Sequence, residues 1–159
     1  TSTLIFSSGK MICTGARSEK EAERALRKLV KVLKEDGILI LGKPEIKIVN
    51  VVATVNLGEA VDLLDLYESE RAMRGRIVYE PEQFPGLIYR MDQPKTVILI
   101  FSSGKLVCTG ARKEKESGLA VEKVQEMLES RGLIAYDERS SRRAPIPDTS
   151  AQILAPTPA

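Results

Sequence analysis

The stretch "LIFSSGKMICTGAR" (residues 4–17) recurs downstream as "LIFSSGKLVCTGAR" (99–112), with twelve of fourteen positions identical and a constant offset of 95. A constant offset over so long a separation marks an internal duplication. Each copy reads as a strand, a tight "SSG" turn and a second strand, so a fold for this chain must hold two equivalent hairpins in equivalent surroundings.

The copies continue past the hairpin. Between Glu19 and Asp36, apolar Ala22, Leu26, Leu29, Val30 and Leu33 fall at helical spacing. Ser18 with Glu21 forms a capping box, and Gly37 suits the position after the helix. The equivalent second helix, with Val121, Val124, Leu128 and Gly132, is weaker: Gly118 lies inside it, at a cost of about 1 kcal/mol against alanine, and Lys113 replaces the capping serine. Between the copies, Glu45–Leu57 is a long β-rich run, 59–74 a helix with a broad apolar face, 77–80 and 87–91 short strands, and "PEQFPGL" (81–87) a turn. Seven strands and three helices are expected, with helices 18–36 and 113–131 on one sheet face. The domain plan is a partial first repeat (1–41), a complete second repeat (42–137) and a disordered tail (138–159) with four prolines and little apolar content.

Residues 45–98 precede the second hairpin, whereas only Thr1–Thr3 precede the first. Repeat logic therefore predicts that about fifty residues of the first repeat are missing from this chain. The first hairpin should then present an uncovered edge, a template for association through residues 1–16 or for a strand-swapped dimer that rebuilds the missing half.

Composition narrows the chemistry. The chain has no histidine and a net charge of +2. A nucleophile–histidine arrangement is therefore impossible, no cofactor or metal motif appears, and an enzyme is not expected. Cys13 and Cys108 recur in register and read as small buried strand residues rather than a metal site or a disulfide. No apolar run reaches the ~20 residues of a membrane span, and no signal peptide opens the chain. The expected location is intracellular: cytoplasm or nucleoid in an archaeon, nucleus in a eukaryote.

Alternation along the strands groups Leu4, Phe6, Ile12 and Thr14 on one face of the first hairpin, and Leu99, Phe101, Val107 and Thr109 on the same face of the second. On the long strand Ile46, Ile48, Asn50, Val52 and Thr54 are expected together, opposite Val49, Val51, Ala53 and Val55. Both faces are poor in charge, yet three helices cover only one. The other is a large uncharged surface, which on a protein exposed to water marks a binding site or a face covered by another subunit. Its rim is basic: Lys10 and Lys105 at the turns, with Arg17, Arg90, Lys95 and Arg112 at other strand ends. An apolar face with one Asn and two Thr inside a basic rim suits the DNA minor groove, where readout rests on acceptors, shape and apolar wedges.

"YEPEQFPGLIYRMDQPK" (79–95) and the twice-repeated "LIFSSGK…CTGA" closely resemble the TATA-box-binding protein family, the archaeal form especially, over residues 2 to about 136. The resemblance implies an α+β fold: a curved antiparallel sheet saddle built from two pseudo-symmetric repeats, helices convex, the first repeat incomplete. It implies promoter recognition at A·T-rich double-stranded DNA with bending, and transcription factor B and RNA polymerase as further partners. By position, Phe84 and Phe101 match the wedge pair of the second repeat and Phe6 one wedge of the first. Asn50 matches the central base-contacting asparagine. Leu4, Ile12, Thr14, Val52, Pro85, Leu99, Val107 and Thr109 fall within the DNA-binding surface, and Lys10, Arg90 and Lys105 match phosphate contacts. Glu80 and Glu82 match the acidic loop that meets transcription factor B. The alternative is a non-enzymatic interaction module whose apolar face binds a protein partner or, without DNA, a second copy as a homodimer.

Overall fold

The tight turns rest on glycine. Gly9 (φ 82°) and Gly104 (φ 79°) occupy the left-handed region, and their N–H groups donate to the carbonyls of Phe6 and Phe101, each at 2.9 Å. Each turn thereby closes on a phenylalanine at the end of, or just past, the first strand of its hairpin. The computed structural model describes residues 1–70, 75–134 and, as a backbone strand, 148–155. The first hairpin is β1 (Ser2–Ile5) with β2 (Met11–Ala16), followed by α1 (Glu19–Glu35) and the long β3 (Lys47–Asn56). Then come α2 (Leu63–Ser69), β4 (Ile77–Val78), β5 (Gly86–Asp92), the second hairpin β6 (Lys95–Phe101) and β7 (Lys105–Ala111), α3 (Glu114–Ser130) and β8 (Asp148–Ala155).

The helix signals act locally as their chemistry requires. Ser18 Oγ accepts from the Glu21 N–H at 3.2 Å, while the Glu21 carboxylate reaches the Arg17 N–H at 2.8 Å. At α3 the serine bond is lost with Lys113, but Glu116 still accepts from the Arg112 N–H at 2.9 Å. Helix α2 is shorter than the expected 59–74. Asp62 caps it, accepting from the Leu64 and Asp65 N–H groups at 3.0 Å. The Val61 N–H is already committed to the Ser102 carbonyl at 3.0 Å, which holds that segment extended. Residues 71–74 lie outside the described residues.

All pairings are antiparallel, in one sheet of order β1-β2-β8-β3-β7-β6-β5-β4. Seven of these strands are those expected from the sequence, and the backbone at 148–155 forms an eighth between β2 and β3, in the segment expected to be a disordered tail. Composition pointed to disorder because the tail as a whole, 138–159, carries four prolines and little apolar content. The backbone groups of 148–155 are instead satisfied from both sides, which composition does not register. Residues 138–147 and 156–159 lie outside the described residues.

Among the described side chains, the helices pack on one face over two apolar clusters. Seventeen buried residues, from Ala53 to Ile134, join β3, α2, β4–β7 and α3, among them Leu66, Leu87, Ile98, Ile100, Leu106, Val124 and Leu128. The smaller cluster is Cys13, Ala16, Ala22 and Leu26, with Ile46 and Ile48 against it. This corrects the face assigned to Ile46 and Ile48. The β3–β8 register shifts between Ile48 and Asn50, and an irregularity of one residue turns every later side chain over. Ile46 and Ile48 therefore lie on the helix side, and Val49 is left exposed. Both cysteines are free and buried, as expected, and burial pushes the Cys108 thiol up to about 11 despite a hydrogen bond from Thr96 that lowers it.

The two repeats are not equally covered. Ile100 is fully buried in the larger cluster, whereas Ile5, its equivalent, is 51% exposed. Ile5, Phe6, Met11, Leu33, Leu39 and Leu41 line an open apolar groove of about 390 Å³.

Among the described residues, one charged side chain is buried. The Glu70 side chain, 2% exposed at the end of α2, pairs with Arg131 at the end of α3. Glu70 Oε1 meets the guanidinium at close range without an aligned hydrogen bond. Arg131→Ala should cost about 3 kcal/mol in urea unfolding, because it strands a buried carboxylate. Adding Glu70→Gln should recover most of that loss, and a single variant within about 0.5 kcal/mol of the parent would show the pair to be incidental.

Candidate nucleic-acid interface

Opposite residues of an antiparallel ladder share a face. On the side away from the helices, Ile88, Leu99, Val107 and Thr54 form one row across β5, β6, β7 and β3, while Arg90, Val97 and Thr109 form the next. These side chains are half-buried, except Arg90, which is exposed at the rim. In the first hairpin, Leu4 pairs with Ile12 and Ser2 with Thr14 on the same face. Ile12 then faces Leu154 of β8 across the next ladder, so β8 joins the two parts of the surface. Leu4 (61%) and Phe6 (45%) are exposed. The face carries Val52 as a half-buried neighbour of Asn50.

Phe84 and Phe101 meet edge to face, with ring centroids 5.8 Å apart at 61°. Their seating is built by three local devices. The Gln83 and Phe84 N–H groups both return to the Glu80 carbonyl at 2.9 Å, closing the turn. Gly86 pairs with Phe101 in register. A Cβ on Gly86 would lie 2.8 Å from one ring and 3.1 Å from the other, so only glycine leaves room for both. Pro85, between ring and glycine, is exposed.

Asn50 is held at the centre. Its Oδ1 accepts from the Gly110 N–H at 2.7 Å, and its Nδ2 donates to Thr109 Oγ1 at 3.2 Å. Gly110 has φ 91° and sits where the β3–β7 register shifts. The irregularity is what turns that N–H toward the amide oxygen. With the acceptor end engaged by backbone, the donor end of the amide faces Thr109, the polarity that minor-groove acceptors require.

The rim is as expected in part. Arg90 and Lys105 are exposed, and Lys10 is half-buried. Glu80 and Glu82 are both exposed in the turn carrying Phe84. Sequence reasoning missed Ile88 and Val97, which sit two residues from Arg90 and Leu99 on their strands. The period-2 alternation used for the hairpins would have found both.

A half-covered antiparallel sheet with helices on one side and a largely apolar, phenylalanine-bearing face on the other defines a sheet-surface binding protein. Residues 1–35 and 45–131 match the family model described as transcription factor TFIID, or TATA-binding protein (TBP). A TATA-box-binding protein of Pyrobaculum aerophilum is 50% identical over 137 residues, 86% of this chain and 67% of the relative. One from Archaeoglobus fulgidus is 47% identical over 132 residues, 82% and 70% of the two chains. The solved structure of Methanococcus jannaschii TBP superposes with a TM-score of 0.69 at 48% identity, covering 80% of this chain and 71% of that one. The chain belongs to the TATA-binding protein family, and its fold is that family's α+β saddle. The family-model match ends at residue 131, before β8.

Gly86→Ala should displace the Phe84 ring and destabilise the fold by about 1–3 kcal/mol, the usual cost of overpacking. Loss of the inter-ring nuclear Overhauser contacts between Phe84 and Phe101, with a lowered urea midpoint, is the expected result. Retained contacts would show that the turn absorbs the methyl.

Proposed function

We propose that this chain is a general transcription initiation factor that binds TATA-like promoter duplex in the minor groove, bends it, and recruits transcription factor B and RNA polymerase. The observation that carries the reading is the Phe84–Phe101 pair, seated by Gly86 at the end of a largely apolar face in a chain of the TATA-binding protein family. The similar archaeal proteins bear the name TATA-box-binding protein.

The physical case follows the groove. A·T pairs offer only acceptors there, and no donor obstructs an apolar surface. Val52, Leu99 and Val107 supply that surface, and the Asn50 amide supplies donors. Aromatic side chains entering between base steps pay unstacking of a few kcal/mol and gain a wider, bent groove that meets more protein. Lys10, Arg90 and Lys105 at the rim supply phosphate contacts, so affinity should fall with salt at a log–log slope of about −0.9 per contacted phosphate. A protein ligand held by apolar burial would respond weakly to salt, which separates the alternative of a protein-binding module.

Phe101→Ala should reduce the bend of an A·T-rich duplex, measured by fluorescence transfer between its ends, more than it changes the salt slope. An unchanged bend would remove Phe101 as a wedge. Glu80→Arg with Glu82→Arg should keep or strengthen the binary DNA complex, since positive charge is added near phosphate. The same pair should weaken the ternary complex with transcription factor B about tenfold or more, because an attractive charge contact becomes a repulsive one. Loss of the binary complex in a gel-shift comparison would place this loop on DNA instead.

A further inference from the structure

We propose that two copies of this chain associate back to back through their helices, α1 of each against α3 of the other, across a two-fold axis parallel to the sheet.

The observation is a reversal of charge between equivalent positions. At the offset of 95, Arg27, Lys31 and Lys34 of α1 correspond to Glu122, Glu126 and Glu129 of α3. All six side chains are exposed. Spacings of four and three residues set each trio in one stripe along its helix. Over their full lengths α1 carries six cationic and four acidic side chains, and α3 carries two and five. The inward sides keep one chemistry in both repeats: Leu26 corresponds to Val121 and Leu33 to Leu128. The reversal is therefore confined to the side that faces outward.

The present partners of these charges do not hold them fast. Arg27 meets Glu23 at 3.3 Å and Lys31 meets Glu35 at 3.7 Å, both as exposed pairs within the helix. Such pairs are weak and exchange readily for another carboxylate. On α3, Lys123 lies next to Glu122 and has the sign of its equivalent, Lys28. Its ammonium donates to the Gln93 carbonyl at 2.8 Å, away from the acidic stripe.

The fold turns this reversal into self-complementarity. Both helices lie on the same face of the sheet, α1 against β2 and α3 against β7. Two copies placed helix side to helix side can be related by a two-fold axis in either of two directions. One direction sets α1 on α1 and α3 on α3, which opposes like charges. The other sets α1 of each copy on α3 of its mate, which makes the same cation–carboxylate contact twice. Charge thus excludes one arrangement as it favours the other. The favoured one uses the same surface on both copies and closes at two. Charges fix the register and the salt dependence of such a contact more than its strength. Val32 on α1 (42% exposed) and Leu119 on α3 (46% exposed) add apolar surface beside the stripes. The contact lies on the side away from the candidate nucleic-acid interface. It therefore differs from a homodimer through the apolar sheet face and from association through the edge of β1.

The test uses the full chain without DNA, so its outcome is independent of the proposed function. In sedimentation equilibrium the chain should dimerise at low salt. The dissociation constant should rise about tenfold or more as salt approaches 1 M, where exposed charges are screened beyond about 3 Å. Arg27→Glu, Lys31→Glu and Lys34→Glu together should raise it about tenfold or more, because both contacts become acid on acid. Glu122→Lys, Glu126→Lys and Glu129→Lys together should do the same with cation on cation. An equimolar mixture of these two variants opposes unlike stripes again at both contacts, and should form a one-to-one dimer. Charges that serve only to solvate the helices would give no such rescue. A parent chain that stays monomeric at low salt overturns the proposal, as does a dimer indifferent to both reversals. So does a mixture that stays monomeric while each variant keeps the circular dichroism of the parent. If either reversal unfolds the chain, Glu126→Gln with Glu129→Gln decides: it should weaken the dimer and flatten its salt dependence, and no change in either overturns the proposal.

Discussion

The backbone ladders on either side of β8 hold the first hairpin to the second repeat. Among the described side chains, the two apolar clusters share no residue. A buried N–H or C=O without a partner is costly, so β2 and β3 each need a strand on the inner side. One segment satisfies both. Ile46 and Ile48 add the apolar part of the junction, and they can do so only because the register shift before Asn50 turns them to the helix side.

The same kind of irregularity builds the candidate site. Where β7 departs from the regular ladder, Gly110 takes a positive φ and its N–H finds Asn50. Where β5 begins, Gly86 makes space for two rings. The regular parts of the strands supply a flat apolar field; the departures from regularity place the two features that give it polarity and relief. Glycine is needed at both points for different reasons, conformation at one and volume at the other.

Much of this was legible in the sequence. The duplication fixed the hairpins, the paired helices and their common face, because an offset of 95 repeats side chains as well as elements. Phe84, Phe101 and Asn50 stood out because the chain is so poor in aromatic and polar strand residues. What was not legible has a common cause. The strand at 148–155 carries no strong pattern of its own, and its partners lie at residues 11–16 and 47–54. The misplacement of Ile46 and Ile48 came from alternation carried through a bulge that only the paired strand reveals. The late start of α2 came from the Val61 N–H bonding to the Ser102 carbonyl in a turn about forty residues along the chain. Local periodicity speaks about neighbours along the chain; each of these features is set by neighbours across the sheet.

The place of β8 also sets how far along the chain its contacts must reach. Among the described residues, the larger cluster joins side chains from Ala53 to Ile134. The first hairpin instead finds its inner neighbour across almost the whole described chain, with Ile12 facing Leu154. A pairing between residues so distant in sequence closes a long loop before any contact rewards it, so it is expected to form late and slowly compared with the contacts inside the second repeat.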